Sequence, residues 1–99
     1  MLFFIIKLFI VEGVVMKNKI NVDVLVPNIN ETYNMFIPVN KTVGEVVKLI
    51  NLVINDLTEG EYPIKTNLSL IDLYTCTLYN FDYTVKNNKI KNGSKLVLI

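Results

Sequence analysis

The chain contains no histidine, arginine, alanine, glutamine or tryptophan, and one cysteine in 99 residues. Without histidine, imidazole acid–base chemistry and Ser–His or Cys–His nucleophile activation are excluded. The lone Cys76 cannot close an intramolecular disulfide, and no metal-spaced set of ligands accompanies it. A reducing compartment is expected on that ground, and no metal or other cofactor. The absence of arginine removes the preferred reader of phosphates and guanine edges. With 10 basic and 9 acidic residues the net charge is +1, which gives no electrostatic case for a nucleic-acid partner or an anionic membrane, both of which favour basic patches. The ten lysines look scattered and suited to solubilising the surface.

What is present is apolar: 52% of the residues are hydrophobic. A chain of this length is one domain and buries only roughly 60–65% of its unfolded surface, so that material must go into one core. Lys, Asn and Ile, which have AT-rich codons, crowd a chain without Ala or Arg, which points to a low-GC genome of the Gram-positive bacterial kind.

Residues 1–15, MLFFIIKLFIVEGVV, differ from the rest. The run is shorter than the ~17–25 residues of a membrane-spanning helix and contains Lys7. No basic region precedes Leu2 and no small-x-small cleavage site follows, which argues against a signal peptide. Codons allowed for Val11-Glu12-Gly13 spell GGAGG, a ribosome-binding sequence, shortly before Met16. Translation from Met16 is therefore the favoured expectation, giving an apolar leader over 1–15 and a domain over 16–99. A membrane anchor, or an added strand or helix, are the other readings of the leader.

Within 16–99 the hydrophobic period changes along the chain. Ile20, Val22, Val24 and Val26 alternate with Asn21 and Asp23, the signature of a half-buried strand over Lys19–Val26. Pro27 to Asn30 is a turn, and Tyr33–Val39 a second strand, making a hairpin. Thr42-Val43-Gly44-Glu45 reads as a capping box. Val43, Val46, Val47, Ile50, Ile54 and Leu57 then mark one buried helical stripe, with Gly60 as its C-terminal cap. The β-branched residues in that stripe are weak helix formers, so packing must hold it. Strands are expected over Leu68–Tyr74, Thr77–Tyr79 and Lys95–Ile99, with a bend at Thr75-Cys76 and a loop carrying one helical turn over Thr84–Ile90. The order predicts an α+β fold: a mixed sheet of four to five strands with one helix packed across it.

That order at this length resembles the β-grasp. Thr84-Val85, Ile90, Gly93, Leu96 and Leu98 are similar to the carboxy-terminal half of ubiquitin, and Thr42, Val43, Val46 and Ile50 to the start of its helix. The chain is similar in particular to the YukD-type ubiquitin-like proteins of Gram-positive type VII (WXG-type) secretion systems, in its size, its initial hairpin and the Asn92-Gly93-Ser94-Lys95-Leu96 turn. The resemblance implies a cytoplasmic protein, peripheral at the inner face of the membrane, whose partner is a membrane component of a secretion machine. It departs from conjugated and sulfur-carrying relatives in having Leu98-Ile99 where they carry Gly-Gly, so neither conjugation nor sulfur transfer is expected, and no small-molecule substrate. A membrane-anchored β-grasp protein of another role, and a sulfur carrier or enzyme, are the alternatives.

In the resemblance Leu96 and Leu98 match core positions. Alternation sends Val97 and Ile99 to the other face of the sheet, where the ubiquitin resemblance places a partner-binding patch. Leu25 on the first strand, and Ser69 or Ile71 on the third, are expected to extend it. Val97→Asp is accordingly expected to abolish binding at nearly unchanged melting temperature. No residue is expected to be catalytic. Cys76 reads as incidental, Asp72, Asp82, Glu59 and Glu61 as solvated turn residues, and Tyr62, Tyr74, Tyr79 and Tyr83 as packing or partly exposed aromatics.

Overall fold

The computed structural model describes residues 18–99 throughout and, before them, only the backbone of Phe3–Ile6, Ile10–Val11 and Val14–Val15. These three short strands are β1, β2 and β3. The remaining expectations for residues 1–15 lie outside the described residues.

Alternation decides the hairpin. β4 (Lys19–Val26) turns every second side chain inward, and Val22, Val24 and Val26 are fully buried. A 3-10 turn over Pro27–Ile29 reverses the chain, with Asn30 in the left-handed region at φ 52. Asparagine tolerates that conformation better than most residues, because its short amide bonds locally. β5 (Glu31–Pro38) returns antiparallel in the register Val24↔Tyr33 and Val22↔Met35, which places Tyr33, Met35 and Ile37 in the same core.

The capping box forms as the spacing demands. The Thr42 hydroxyl accepts from the Glu45 amide at 3.2 Å, and the Glu45 carboxylate accepts from the Thr42 amide at 3.2 Å. Helix α1 (Val43–Leu57) follows. The first amides of a helix have no partner within it. Here the Val43 and Gly44 amides donate to the Tyr83 and Phe81 carbonyls at 2.9 and 3.1 Å. A Cβ on Gly44 would lie 3.3 Å from the Phe81 oxygen, so glycine lets that loop come close.

The buried stripe differs from the expected one at its end. Val43, Val46, Val47, Ile50 and Ile54 are buried, but Leu57 is 45% exposed and Asn51 takes a buried place. Bonding makes that burial tolerable: the Asn51 amide accepts from the Lys65 backbone at 2.7 Å and donates to the Pro63 carbonyl at 3.0 Å. Asn55, one turn later, donates to the Tyr62 carbonyl at 2.9 Å. Two asparagines at i and i+4 thus pin the returning chain along the helix, which apolar patterning could not reveal.

The helix ends in a Schellman motif one residue earlier than the glycine. Gly60 donates to the Asn55 carbonyl at 2.8 Å and Glu59 to that of Asp56 at 3.1 Å. The left-handed C′ position is therefore Glu59, at φ 53, while Gly60 follows at φ 89. Left-handed backbone costs a side-chain-bearing residue about 1–2 kcal/mol, and glycine's freer unfolded chain returns about 0.4–1 kcal/mol. Glu59→Gly is expected to stabilise the domain by roughly 0.5–1 kcal/mol in urea denaturation. A loss of stability instead would show that the Glu59 side chain contributes more than its backbone costs.

The second half delivers two strands where three were expected. β6 is Leu70–Asp72 and β7 is Lys95–Leu98. Thr77–Tyr79 contributes only an antiparallel bridge, Ile71↔Leu78, with the Tyr79 amide donating to the Leu70 carbonyl at 3.1 Å. Asp72 ends β6 by accepting from the Tyr74 and Thr75 amides at 2.8 and 2.9 Å. Such an Asx-type turn competes with ladder pairing. The loop before β7 is anchored by Val85 and Ile90, both buried.

β7 lies parallel to β4 and antiparallel to β6. The sheet order is β1-β5-β4-β7-β6, with the backbone of β1 parallel to β5 at the hairpin edge. The β5-β4-β7-β6 portion is the mixed four-stranded sheet on which α1 packs, as the α+β reading requires. Leu96 and Leu98 join its core at 1% exposure each.

Candidate protein-binding face

The face of the sheet turned away from α1 is built by the same alternation that builds the core. Leu96 and Leu98 point inward, so Lys95, Val97 and Ile99 point outward. The register then aligns apolar residues across strands: Leu25↔Val97 between β4 and β7, Ile71↔Val97 between β7 and β6, and Leu78 beyond Ile71 through its bridge. Three strands and the bridge residue Leu78 thus carry one transverse apolar row. Ser69 and Ile99 close its lower edge by exchanging backbone hydrogen bonds of 2.6 and 3.0 Å. Above it the ladder runs on to Leu73, whose amide donates to the Lys95 carbonyl at 2.9 Å.

Exposure is uneven along the row. Val97, in the centre, is only 6% exposed, and Leu25 and Ile71 are half-buried. The reachable apolar area belongs to Leu78 at 64%, Ile99 at 50% and Leu73 at 39%. This corrects the expectation for Val97→Asp. Val97 occupies the outer face as alternation requires, but its cross-strand neighbours cover it, so an aspartate there would be desolvated and would not leave stability unchanged. Leu78 and Leu73 were missing from the sequence-derived set. Their signal was available only as apolar residues in a strand-turn segment whose pairing was unknown.

Next to the row, the same face turns polar. Asn21 and Asn34 exchange side-chain hydrogen bonds of 2.9 and 2.8 Å across the hairpin, and Asn34 also donates to Asp23 at 2.8 Å. Lys95 closes the cluster with a salt bridge to Asp23. Burial pushes the Asp23 carboxyl upward, but the hydrogen bonds from Lys95 and Asn34 and the lysine charge outweigh it and hold it below the ordinary carboxylate value. Lys95 is correspondingly raised, first by its hydrogen bond to Asp23. These groups are saturated by one another, so they form a polar border beside the apolar row.

At the far end, the Tyr79 hydroxyl donates to Asp72 at 3.2 Å. Desolvation, with the nearby Asp72 charge, pushes Tyr79 up to about 12. The backbone amides of Thr75 and Tyr74 hold Asp72 low. The Asp72 carboxylate is thereby committed to the turn. Cys76 is exposed in that turn at φ 58. Tyr62 is buried, while Tyr74 and Tyr83 are 77% and 57% exposed. Among the described residues no three His, Cys, Asp or Glu side chains converge as metal ligands.

No family profile matches the chain, and no curated protein matches it in sequence. Solved structures do resemble it. The ubiquitin-like domain of an Arabidopsis thaliana protein matches with a TM-score of 0.62 at 23% identity, over 84% of this chain and 78% of that one. A protein designed on the basis of ubiquitin matches at 0.59 and 13% identity, over 83% of this chain and 88% of that one. A chain of the MycP5-free ESX-5 inner membrane complex matches at 0.60 and 14% identity, over 84% of this chain but 21% of its own length. At these identities the likeness is one of fold, and the fold is ubiquitin-like.

Proposed function

We propose that this ubiquitin-like chain is a protein-docking module of a type VII secretion system, acting at the inner face of the membrane by surface burial and without chemistry. The observation that carries the reading is the transverse apolar row, ending in the exposed Leu78, Ile99 and Leu73 beside a saturated polar border. An apolar centre with a polar rim is the anatomy of a docking surface. The contiguity of the row matters, because singly scattered apolar residues need no explanation.

The choice of partner is supported by the ubiquitin-like fold found within a chain of the ESX-5 inner membrane complex, a type VII assembly. Leu98 lies in the core and Ile99 is hydrogen-bonded to Ser69, so both residues serve the sheet. No helix of the described residues is long and apolar enough to cross a membrane, which fits a peripheral role for 18–99. The test is co-purification from detergent-solubilised host membranes with the tagged protein and with Leu78→Asp and Ile99→Asp. Recovery of secretion-complex subunits by the parent protein but by neither variant is expected. Recovery of the same subunits by all three would remove this face from the reading, and their absence throughout would remove the secretion partner.

A further inference from the structure

The lysines are not all scattered. Four of them, Lys19, Lys86, Lys89 and Lys91, line one open depression of about 710 Å³ together with Asn18 and Asn92, and no acidic residue lines it. Lys86, Lys89 and Lys91 are all exposed, and among the described residues none of the three makes an ion pair. The turn that presents them is rigidly tied. Val85 and Ile90 bury their side chains on either side of it. The Asn88 amide donates to the carbonyls of Asn80, Tyr83 and Thr84, and the Asn92 side chain accepts from the Asn21 backbone at 2.7 Å.

Lys89 itself sits at φ 61, a conformation in which glycine or asparagine is less costly. A strained lysine between two unpaired lysines points to a use for its charge.

We propose that this lysine depression docks the domain on an anionic membrane surface by contacting lipid phosphates. Lysine suits such a surface because it is a mobile point charge that needs no bidentate geometry, unlike arginine, which the chain lacks. A single-stranded nucleic acid would call for aromatic side chains interleaved with the charge, and none lines the depression. Base reading in a duplex favours arginine, which the chain lacks. Electrostatic attraction by a few lysines is weak alone and becomes useful with a second, apolar signal. The contact expected is therefore a weak and salt-sensitive one.

The site lies at the opposite end of β4 from the docking row. Lys19 and Leu25 are separated by about 20 Å at the strand rise, so a membrane and a protein partner could be held together. The lysine site rests on lysine placement alone and is independent of the docking row.

The test is co-sedimentation of the full chain with phosphatidylcholine vesicles and with vesicles also containing phosphatidylglycerol, at low and high salt. Binding only to the anionic vesicles, weakened by salt, is expected. Each lysine contributes about fivefold, so Lys86→Gln with Lys91→Gln should weaken binding on the order of 25-fold. The charge-matched pair Lys48→Gln with Lys65→Gln, outside the depression, should leave it nearly intact. Lys89→Asn should raise the melting temperature while weakening vesicle binding.

Equal losses from both lysine pairs would overturn the site, as would equal binding to neutral vesicles. Tighter binding to a fluorescent oligonucleotide or an acidic peptide than to the anionic vesicles would overturn the membrane assignment.

Discussion

Val97→Asp is expected to remove a large part of the domain's stability, whereas Ile99→Asp, on the same face two residues further on, is expected to leave stability nearly unchanged and remove partner binding. The difference comes from burial. Val97 is 6% exposed between Leu25 and Ile71, and its cross-strand neighbours offer no cation. Lys95 is two residues away on that face, but its ammonium is taken by Asp23. An uncompensated buried charge costs about 3–5 kcal/mol, against a total stability of about 5–15 kcal/mol for a small domain. Ile99 is 50% exposed, and substitutions at such positions usually change stability by no more than about 0.5 kcal/mol.

Circular dichroism melts of the two variants, run beside the co-purification described above, check both halves. If Val97→Asp melts like the parent protein, the central strand is not covered as the structure has it. If Ile99→Asp melts early, its loss of binding says nothing about docking, and Leu78→Asp, on the exposed bridge residue, becomes the deciding variant.

Leu96→Ala should cost about 2–5 kcal/mol, the range for leucine truncation in tight cores. Leu96 pairs with Val24 on one side and Asp72 on the other, in the middle of the sheet, at 1% exposure. Neighbours on three sides are held by ladders and by α1, so the cavity has little freedom to collapse and the cost belongs in the upper part of that range. Urea denaturation is the measurement: the midpoint should fall at an unchanged slope. A cost below about 1 kcal/mol would mean that the site collapses around alanine and that β7 is less tightly held than its register implies.

Much of this architecture could be read from residue order. The alternation in β4 and β5, the Thr42–Glu45 box and the stripe from Val43 to Ile54 are local patterns. Each is set by a periodicity of 2 or 3.6 that the backbone imposes wherever it occurs. The resemblance to ubiquitin implied the inward place of Leu96 and Leu98, and the same alternation then sent Val97 and Ile99 outward.

Apolar patterns failed where side-chain hydrogen bonds between neighbouring turns decide the outcome. Glu59 rather than Gly60 takes the left-handed cap because the Asn51 and Asn55 side chains set where the returning chain crosses the helix end. Thr77–Tyr79 did not become a strand because the Asp72 turn and the Tyr79–Asp72 bond draw it into a bridge.

The sequence by itself determined the fold class, the two faces of the central strand and the absence of imidazole chemistry, since composition and period need no knowledge of distant neighbours. Only the tertiary structure decided which outward residues remain reachable. Exposure depends on what lies across the sheet, so Val97 became covered while Leu78, held to the sheet by a single bridge, became the most exposed apolar residue of the row. It likewise decided that lysines 67 or more residues apart, Lys19 and the group from Lys86 to Lys91, share one surface, because the loop ahead of β7 is carried back to the start of β4.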